Sequence, residues 1–402
     1  MDARRVGQLS ARVLVALMSV AVLVAAGSGW FLKRELRSST VASDVLVRQA
    51  PVAAGQPFTA LLVGLDARTD ATGNPLPPEL LDALHAGPDE GQLHTDTIIL
   101  LRVPGRDDGP ATAISIPRDS FVRIAGERGE HKINSAYRRG VEEAQQSLTA
   151  LGVTGADLDR RAREAGRQKL VSTVQNLTGV TVDHFAEINL AGFVELTEAL
   201  GGVPVCLNKA VRDTYSGVDL PAGEQSVSGP GALAFVRQRH GLEGGDLDRI
   251  ARQQAFAAGL AQRLQSTGTM SDTGRLEQVV GVVSRYVVLD RGWNLNQAAD
   301  QLRRFTGADL VFRTIPTGRP DLQTPVDGMA VEIDEDAVRS FVASALNPPV
   351  TPGTTIVRAN TPLPPATSTP SGSALPNAGS ATTPAPSSTS RVITADGIPC
   401  VD

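Results

Sequence analysis

Three short apolar runs constrain this chain most, because each has the length of a buried strand and each meets charged residues at one end. Residues 59–64 (TALLVG) lead through Leu65 to Asp66, residues 97–103 (TIILLRV) follow His94-Thr95-Asp96, and residues 111–116 (ATAISI) stop at Pro117 before Arg118-Asp119. Runs this short, bounded by turn residues, read as strands, and the last two are separated only by a turn at 105–110. Downstream the period changes. Helices are expected within 141–177, broken near Gly152 and Gly155, and then at 190–200, 228–235, 246 to about 264, 274–288, 294–305 and 336–346. Strands are expected at 184–188, 203–207, 310–315 and 329–333, and this alternation is that of an α/β domain. Residues 67–93, rich in Gly, Pro and Asp, read as a long exposed loop, and His131-Lys132-Ile133-Asn134 as a second loop.

The ends have a different composition. Residues 13–32 contain no charged side chain and are preceded by Arg4, Arg5 and Arg12, so a transmembrane anchor is expected, about 20 residues being enough to cross a bilayer. Residues 1–12 would then be cytoplasmic, with 33–55 an extracellular linker and 56–347 the folded domain. The competing outcome is a cleaved signal peptide, for which Ala25-Ala26-Gly27 offers a small-residue site. Residues 348–402 are dominated by Pro, Ser, Thr and Ala and read as a disordered tail. The two cysteines, Cys206 and Cys400, are in an exported chain either a disulfide or two unrelated thiols.

A net charge of -5 argues against nucleic acid as a partner, since such domains are usually basic. No lysine follows a glycine as a P-loop requires, no G-x-S-x-G elbow occurs, and the five histidines lack paired ligand spacing. Each histidine, His94 included, reads as a loop or packing residue. Residues 235–254 (FVRQRHGLEGGDLDRIARQQ) instead gather Arg237, Arg239, Arg249 and Arg252 around a Gly244-Gly245-Asp246 break. Arg237 and Arg239 would share one face of an extended segment, and Asp246, Arg249 and Gln253 one stripe at a helix start. The stretch is either an anion site or a solvated helix start with ordinary surface arginines. Along the whole chain, Asp66, Asp96, Asp119 and Asp246 alternate with Arg68, Arg118, Lys132, Arg237, Arg239 and Arg249, a set suited to a phosphorylated ligand bridged by a hard divalent cation.

GLDAR at 64–68, HTDTIILL at 94–101, SIPRDS at 115–120, HKINSAY at 131–137, the stretch from Asn176 to Val205 and the arginine-rich 235–254 together resemble the LytR-CpsA-Psr family, in the family's order, over roughly 57–264. The resemblance implies a three-layer α/β/α fold with a central mixed sheet behind one transmembrane helix. It implies a membrane-anchored extracellular phosphotransferase that moves a glycopolymer from an undecaprenyl-pyrophosphate carrier to a muramic acid hydroxyl of peptidoglycan. By position, Asp66 and Asp96 match the family's Mg²⁺ (or Mn²⁺) ligands, and Arg118, Arg237 and Arg239 the arginines on the pyrophosphate. Asp246, Arg249 and Gln253 match further head-group residues, and Arg68 and Lys132 fall on motif positions. Asp119 either contacts substrate or orients Arg118. The family's residue at His94-Thr95 is more often Ser or Arg. Asp246 and Asp119 are the candidate general bases, with Asp246 preferred. Composition, VCLNKAV near Cys206 and the terminal ITADGIPCVD resemble actinobacterial members, in which the polymer would be arabinogalactan or a teichoic-acid-like chain. A polyprenyl-pyrophosphate phosphatase and a non-catalytic wall-binding or regulatory protein are the alternative readings.

Overall fold

The computed structural model describes residues 41–46, 52–53, 55–87, 91, 93–105, 110–238, 240–242, 246–265, 273–293, 310–346, 393–394 and 397–402. The expected anchor at 13–32, the helix at 294–305, the Gly244-Gly245 break and most of the tail lie outside these residues. Among the described residues no helix is long and apolar enough to cross a membrane.

The framework is a mixed eight-stranded sheet. Its middle is β2 (Phe58–Asp66), flanked by the parallel β7 (His184–Asn189) and the antiparallel β3 (His94–Val103). Outward from β7 come β12 (Val287–Asp290) and β1 (Val41–Ser43); outward from β3 come β4 (Ala111–Ser115), β13 (Leu310–Thr314) and β16 (Ile393–Thr394). Strand alternation sends neighbouring residues to opposite faces. Leu61, Val63 and Leu65 of β2 and Ile114 of β4 enter one core, while Leu62 and Ala113 face the other side.

The first face is covered by α2 (Ala136–Ala150), α3 (Gly155–Thr178) and α8 (Glu335–Leu346). The first two cross closely because Gly140 and Gly166 meet: a Cβ on Gly140 would lie 2.8 Å from the Gly166 Cα. The opposite side carries α4 (Leu190–Ala199), α5 (Gly229–Arg237) and α6 (Asp246–Gln265), packed with a small sheet of β8 (Val203–Leu207), β11 (Gly223–Val227) and β17 (Cys400–Val401), and α7 (Thr273–Tyr286), which packs on α4. Asn189 begins α4 as an N-cap, its Oδ1 accepting the Gly192 N–H at 2.8 Å while its Nδ2 donates to the Thr69 carbonyl at 2.6 Å.

Several expectations need correction. The stretch 67–93 is not only a loop: α1 (Pro78–Ala83) forms within it, and Leu76, Leu84 and Ala86 are buried. The expected linker supplies β1, which pairs with β12 and so is part of the domain. Residues 287–288, expected to end a helix, begin β12 instead, since Val287 and Val288 are β-branched and buried between neighbouring strands. His131 and Lys132 lie in β6 (Glu130–Lys132), paired with β5 (Ser120–Arg123), and Ile133–Ser135 is a single 3-10 turn leading into α2. The tail is not all tether. Its end folds back: Ile393–Thr394 adds to β13, and Cys400–Val401 adds to β8, where Cys400 and Cys206 are joined as a disulfide.

Candidate functional site

The site is built where β2 ends and β3 begins. Gly64 pairs with Thr97, but Leu65 pairs with Thr95, so Asp96 is the extra residue of a β-bulge. A bulge re-aims a side chain that regular alternation would send to the core, and it places Asp96 beside Asp66 in the lining of two cavities. Gly64 gives Thr97 room at this crossing, because a Cβ there would sit 3.0 Å from the Thr97 Cβ and force it to shift. Beyond β4, Pro117 stops the strand and Arg118 turns back, its Nη1 donating to Asp96 Oδ1 at 2.9 Å.

The larger cavity is a groove of about 580 Å³ running beneath α4, α5 and α6. Its walls are largely apolar: Leu62, Ile188, Phe193, Leu196, Val236, Phe256 and Leu260, with the Phe193 and Phe256 rings 5.0 Å apart. Asp66, Asp96, Arg118, Arg237, Arg249 and Gln253 supply its polar part. The smaller cavity, about 320 Å³, is lined by polar and charged residues and shares Asp66, Asp96 and Arg118 with the groove. It adds His94, Asp119, Lys132, Asn134, Ser135, Arg138, Arg139 and Asp327.

The expected residues distribute as follows. Asp66 and Asp96 stand together. Asp66 Oδ1 lies 3.0 Å from Arg68 Nη1, and Asp66 Oδ2 and Asp96 Oδ2 accept no hydrogen bond among the described residues. Two carboxylates with such oxygens fit a hard divalent ion that draws its remaining ligands from phosphates and water. Among the described residues no group of three or more His, Cys, Asp or Glu side chains gathers as an all-protein metal cage. Asp119 is held between Arg118 (Nε to Oδ2, 3.6 Å) and Lys132 (Nζ to Oδ1, 3.2 Å). Arg249 is buried along the groove, and Gln253 lies one turn further on α6, its Nε2 3.5 Å from the Val236 carbonyl.

Two residues stand elsewhere than expected. Arg68 faces away from both cavities: it is buried, and its Nε and Nη2 donate to the Ala86 carbonyl at 3.2 and 2.7 Å, so it supports Asp66 from behind. Arg237 is not on an extended segment; it is the last residue of α5, with Nη1 donating to the Leu84 carbonyl at 3.0 Å. Arg239 lies outside the described residues, and so does the side chain of Asp246. The fourth arginine, Arg252, is fully buried on the far side of α6, where its Nε donates to the main-chain oxygen of Asp402 at 2.6 Å and burial depresses its pKa to about 10.

Sequence reasoning missed several lining groups. Burial lowers the pKa of His94, whose Nδ1 has no hydrogen-bond partner among the described residues. Tyr215 and His240 lie with ring centroids 4.4 Å apart in the groove lining, and Asn134, Arg138, Arg139 and Asp327 line the charged cavity. His94, Asn134 and His240 each carried a signal, their places in the HTDTIILL, HKINSAY and 235–254 motifs; Tyr215, Arg138, Arg139 and Asp327 carried none.

The sequence matches the LytR_cpsA_psr family over residues 32–342. It is 41% identical over 343 residues to the cell wall biosynthesis protein LcpA of Corynebacterium glutamicum, covering 83% of this chain and 65% of that protein. It is 28% identical over 246 residues to the polyisoprenyl-teichoic acid–peptidoglycan teichoic acid transferase TagU of Halalkalibacterium halodurans, covering 61% of this chain and 66% of that protein. The chain thus spans about two thirds of the length of each. The fold is that of Bacillus subtilis TagV (TM-score 0.52, 21% identity, 73% of this chain and 98% of that one) and of a LytR-Csp2A-Psr enzyme from Actinomyces oris (TM-score 0.50, 23% identity, 77% and 97%).

Proposed function

Since this chain belongs to the LytR-CpsA-Psr family, we propose that it is a phosphotransferase moving a glycopolymer from a polyprenyl-pyrophosphate carrier onto a peptidoglycan hydroxyl. The observation that carries this reading is the position of Asp66, Asp96 and Arg118 where an apolar groove meets a charged cavity. A ligand with a long apolar tail and an anionic head fits no simpler site: the tail takes the groove, and the head meets Arg118, Arg237 and Arg249. Mg²⁺ (or Mn²⁺), held by Asp66 and Asp96, supplies Lewis-acid neutralisation of the pyrophosphate when bound.

The chain's own residues have distinct tasks. Arg118, anchored by Asp96, neutralises charge as the bond between the two phosphates lengthens, and Arg237 and Arg249 hold the departing prenyl phosphate. The attacking hydroxyl forms a bond to the phosphorus that carries the glycan, and its proton passes to a carboxylate. Asp119 is the choice supported by its place in the charged cavity, where Lys132 at 3.2 Å orients it; the side chain of Asp246 lies outside the described residues. We place the protein outside the membrane on an anchor at 13–32; the Cys206–Cys400 disulfide supports an oxidising compartment. The name of the transferase relative favours a teichoic-acid-like polymer, and arabinogalactan is the alternative for an actinobacterial wall.

The test is transfer by the purified chain from lipid-pyrophosphate donors of each polymer type to peptidoglycan, with and without a chelator. A phosphodiester-linked product that disappears on chelation is expected. Release of phosphate from the carrier with no transfer would instead make it a phosphatase, and donor binding that survives chelation with no turnover a wall-binding protein.

A further inference from the structure

The charged cavity has a feature that the donor does not require. Asn134 is 8% exposed, it lines this cavity, and its carboxamide makes no hydrogen bond among the described residues. Its position is fixed by the backbone, because its N–H donates to the Arg118 carbonyl at 3.1 Å and its own carbonyl faces Thr95 Oγ1 at 3.5 Å. Its polar atoms are open to the cavity rather than sealed in the core, so a side chain held this way beside the reacting centre points to an external hydrogen-bond partner.

The geometry points to the charged cavity as the acceptor subsite, in which the Asn134 carboxamide and the Arg138 guanidinium recognise the peptidoglycan sugar whose hydroxyl attacks. This rests on the transfer reading above. The groove lies on the α4–α6 side and the charged cavity beside the start of α2, on the opposite face of the sheet, and they meet at Asp66, Asp96 and Arg118. Phosphoryl transfer places attacking and leaving oxygens roughly in line. With the prenyl phosphate leaving into the groove, the nucleophile must come from the other side. The acceptor oxygen bonds to the glycan-bearing phosphorus, the bridging oxygen departs with the prenyl phosphate, and the hydroxyl proton goes to Asp119. Arg138 is 44% exposed and, among the described residues, pairs only with Glu142 across one helical turn at 3.3 Å, a contact weak enough to be exchanged for hydrogen bonds to the acceptor's hydroxyl and amide oxygens.

Two readouts on the full chain test this. Binding of a soluble muropeptide disaccharide is measured without donor, by calorimetry, and transfer rates are then measured against acceptor and against donor concentration. Asn134→Ala and Arg138→Ala are each expected to weaken disaccharide binding and raise the acceptor KM by about tenfold or more, with donor KM and acceptor-free donor hydrolysis within about twofold of the parent. Phe193→Ala, in the groove, should do the reverse. Disaccharide affinity unchanged in both cavity variants overturns the subsite, as does a rise in donor KM equal to that for acceptor. Arg138→Ala keeps the test decisive if Asn134→Ala does not fold. A parent that turns over no donor yet binds the disaccharide through Asn134 would overturn the transfer reading while upholding the subsite.

Discussion

Two arginine–carboxylate pairs on this sheet differ in what they leave available. Arg167 on α3 and Glu187 on β7 are both 6% exposed and doubly bonded, Nε to Oε2 at 2.9 Å and Nη2 to Oε1 at 3.0 Å. Burial opposes the charge on Arg167, but Glu187, together with Tyr137 and Glu164, outweighs it and holds the guanidinium above its ordinary pKa. Arg118 and Asp96 are 18% and 30% exposed, share a single bond and face two cavities. The buried pair is closed, each group saturating the other. The open pair keeps hydrogen-bonding capacity pointed outward, which separates a pair that holds a fold from one that can hold a ligand.

The largest effect expected from this contrast is on stability. Glu187→Ala leaves buried Arg167 with only the longer 3.8 Å contact to Glu164 and should cost about 3–5 kcal/mol in chemical denaturation. A loss below about 1 kcal/mol would mean that water reaches the pair, and the contrast would fail. Arg118→Ala should act the other way, lowering transfer by about 10²–10³-fold while the unfolding free energy moves by less than about 1 kcal/mol. Equal losses of stability from the two variants would erase the distinction.

The open pair was legible in the sequence and the closed one was not. Asp66, Asp96 and Arg118 sit in short motifs at strand ends, where local order fixes both neighbours and position. Arg167 and Glu187 are 20 residues apart on different elements, and nothing local joins them. The same limit applies to the bulge at Asp96, which exists only relative to β2, and to β16 and β17, whose few residues lie within or beyond a tail of uniform composition. Helices α2 to α6 were readable because their boundaries carry glycines or sharp changes of period. The arginine cluster of 235–254 was legible as a cluster but not as a division of labour: Arg249 faces the groove, while Arg252, three residues on, faces the chain end.

That division gives a third test. The Cys206–Cys400 disulfide closes the returning tail against β8, beside the main-chain oxygen that meets Arg252 on α6. Replacing both cysteines with serine should cost about 2–4 kcal/mol. If the clip also steadies Arg249 on the same helix, donor KM should rise while acceptor KM does not. Unchanged stability would show that strand pairing alone holds the tail, and the groove side would then be as self-sufficient as the side under α3.

The smallest effect concerns the closed region alone. Tyr137 on α2 is fully buried near Arg167, and its hydroxyl has no hydrogen-bond partner among the described residues. Burial raises its pKa well above the ordinary tyrosine value, despite the opposing pull of Arg167. For a group whose folded pKa is raised, the stabilising contribution is complete below the unfolded value of about 10. It is lost as pH rises beyond that value, because the native state retains a proton that the unfolded chain releases. Tyr137→Phe removes both the unpartnered hydroxyl and this titration. Stability near neutral pH should stay level or rise by up to about 1 kcal/mol, and the alkaline fall in melting temperature above about pH 10 should become shallower than in the parent. A clear loss at neutral pH would show that the hydroxyl is bonded, through water, to the Arg167–Glu187 pair, and that the region called closed holds a third polar member.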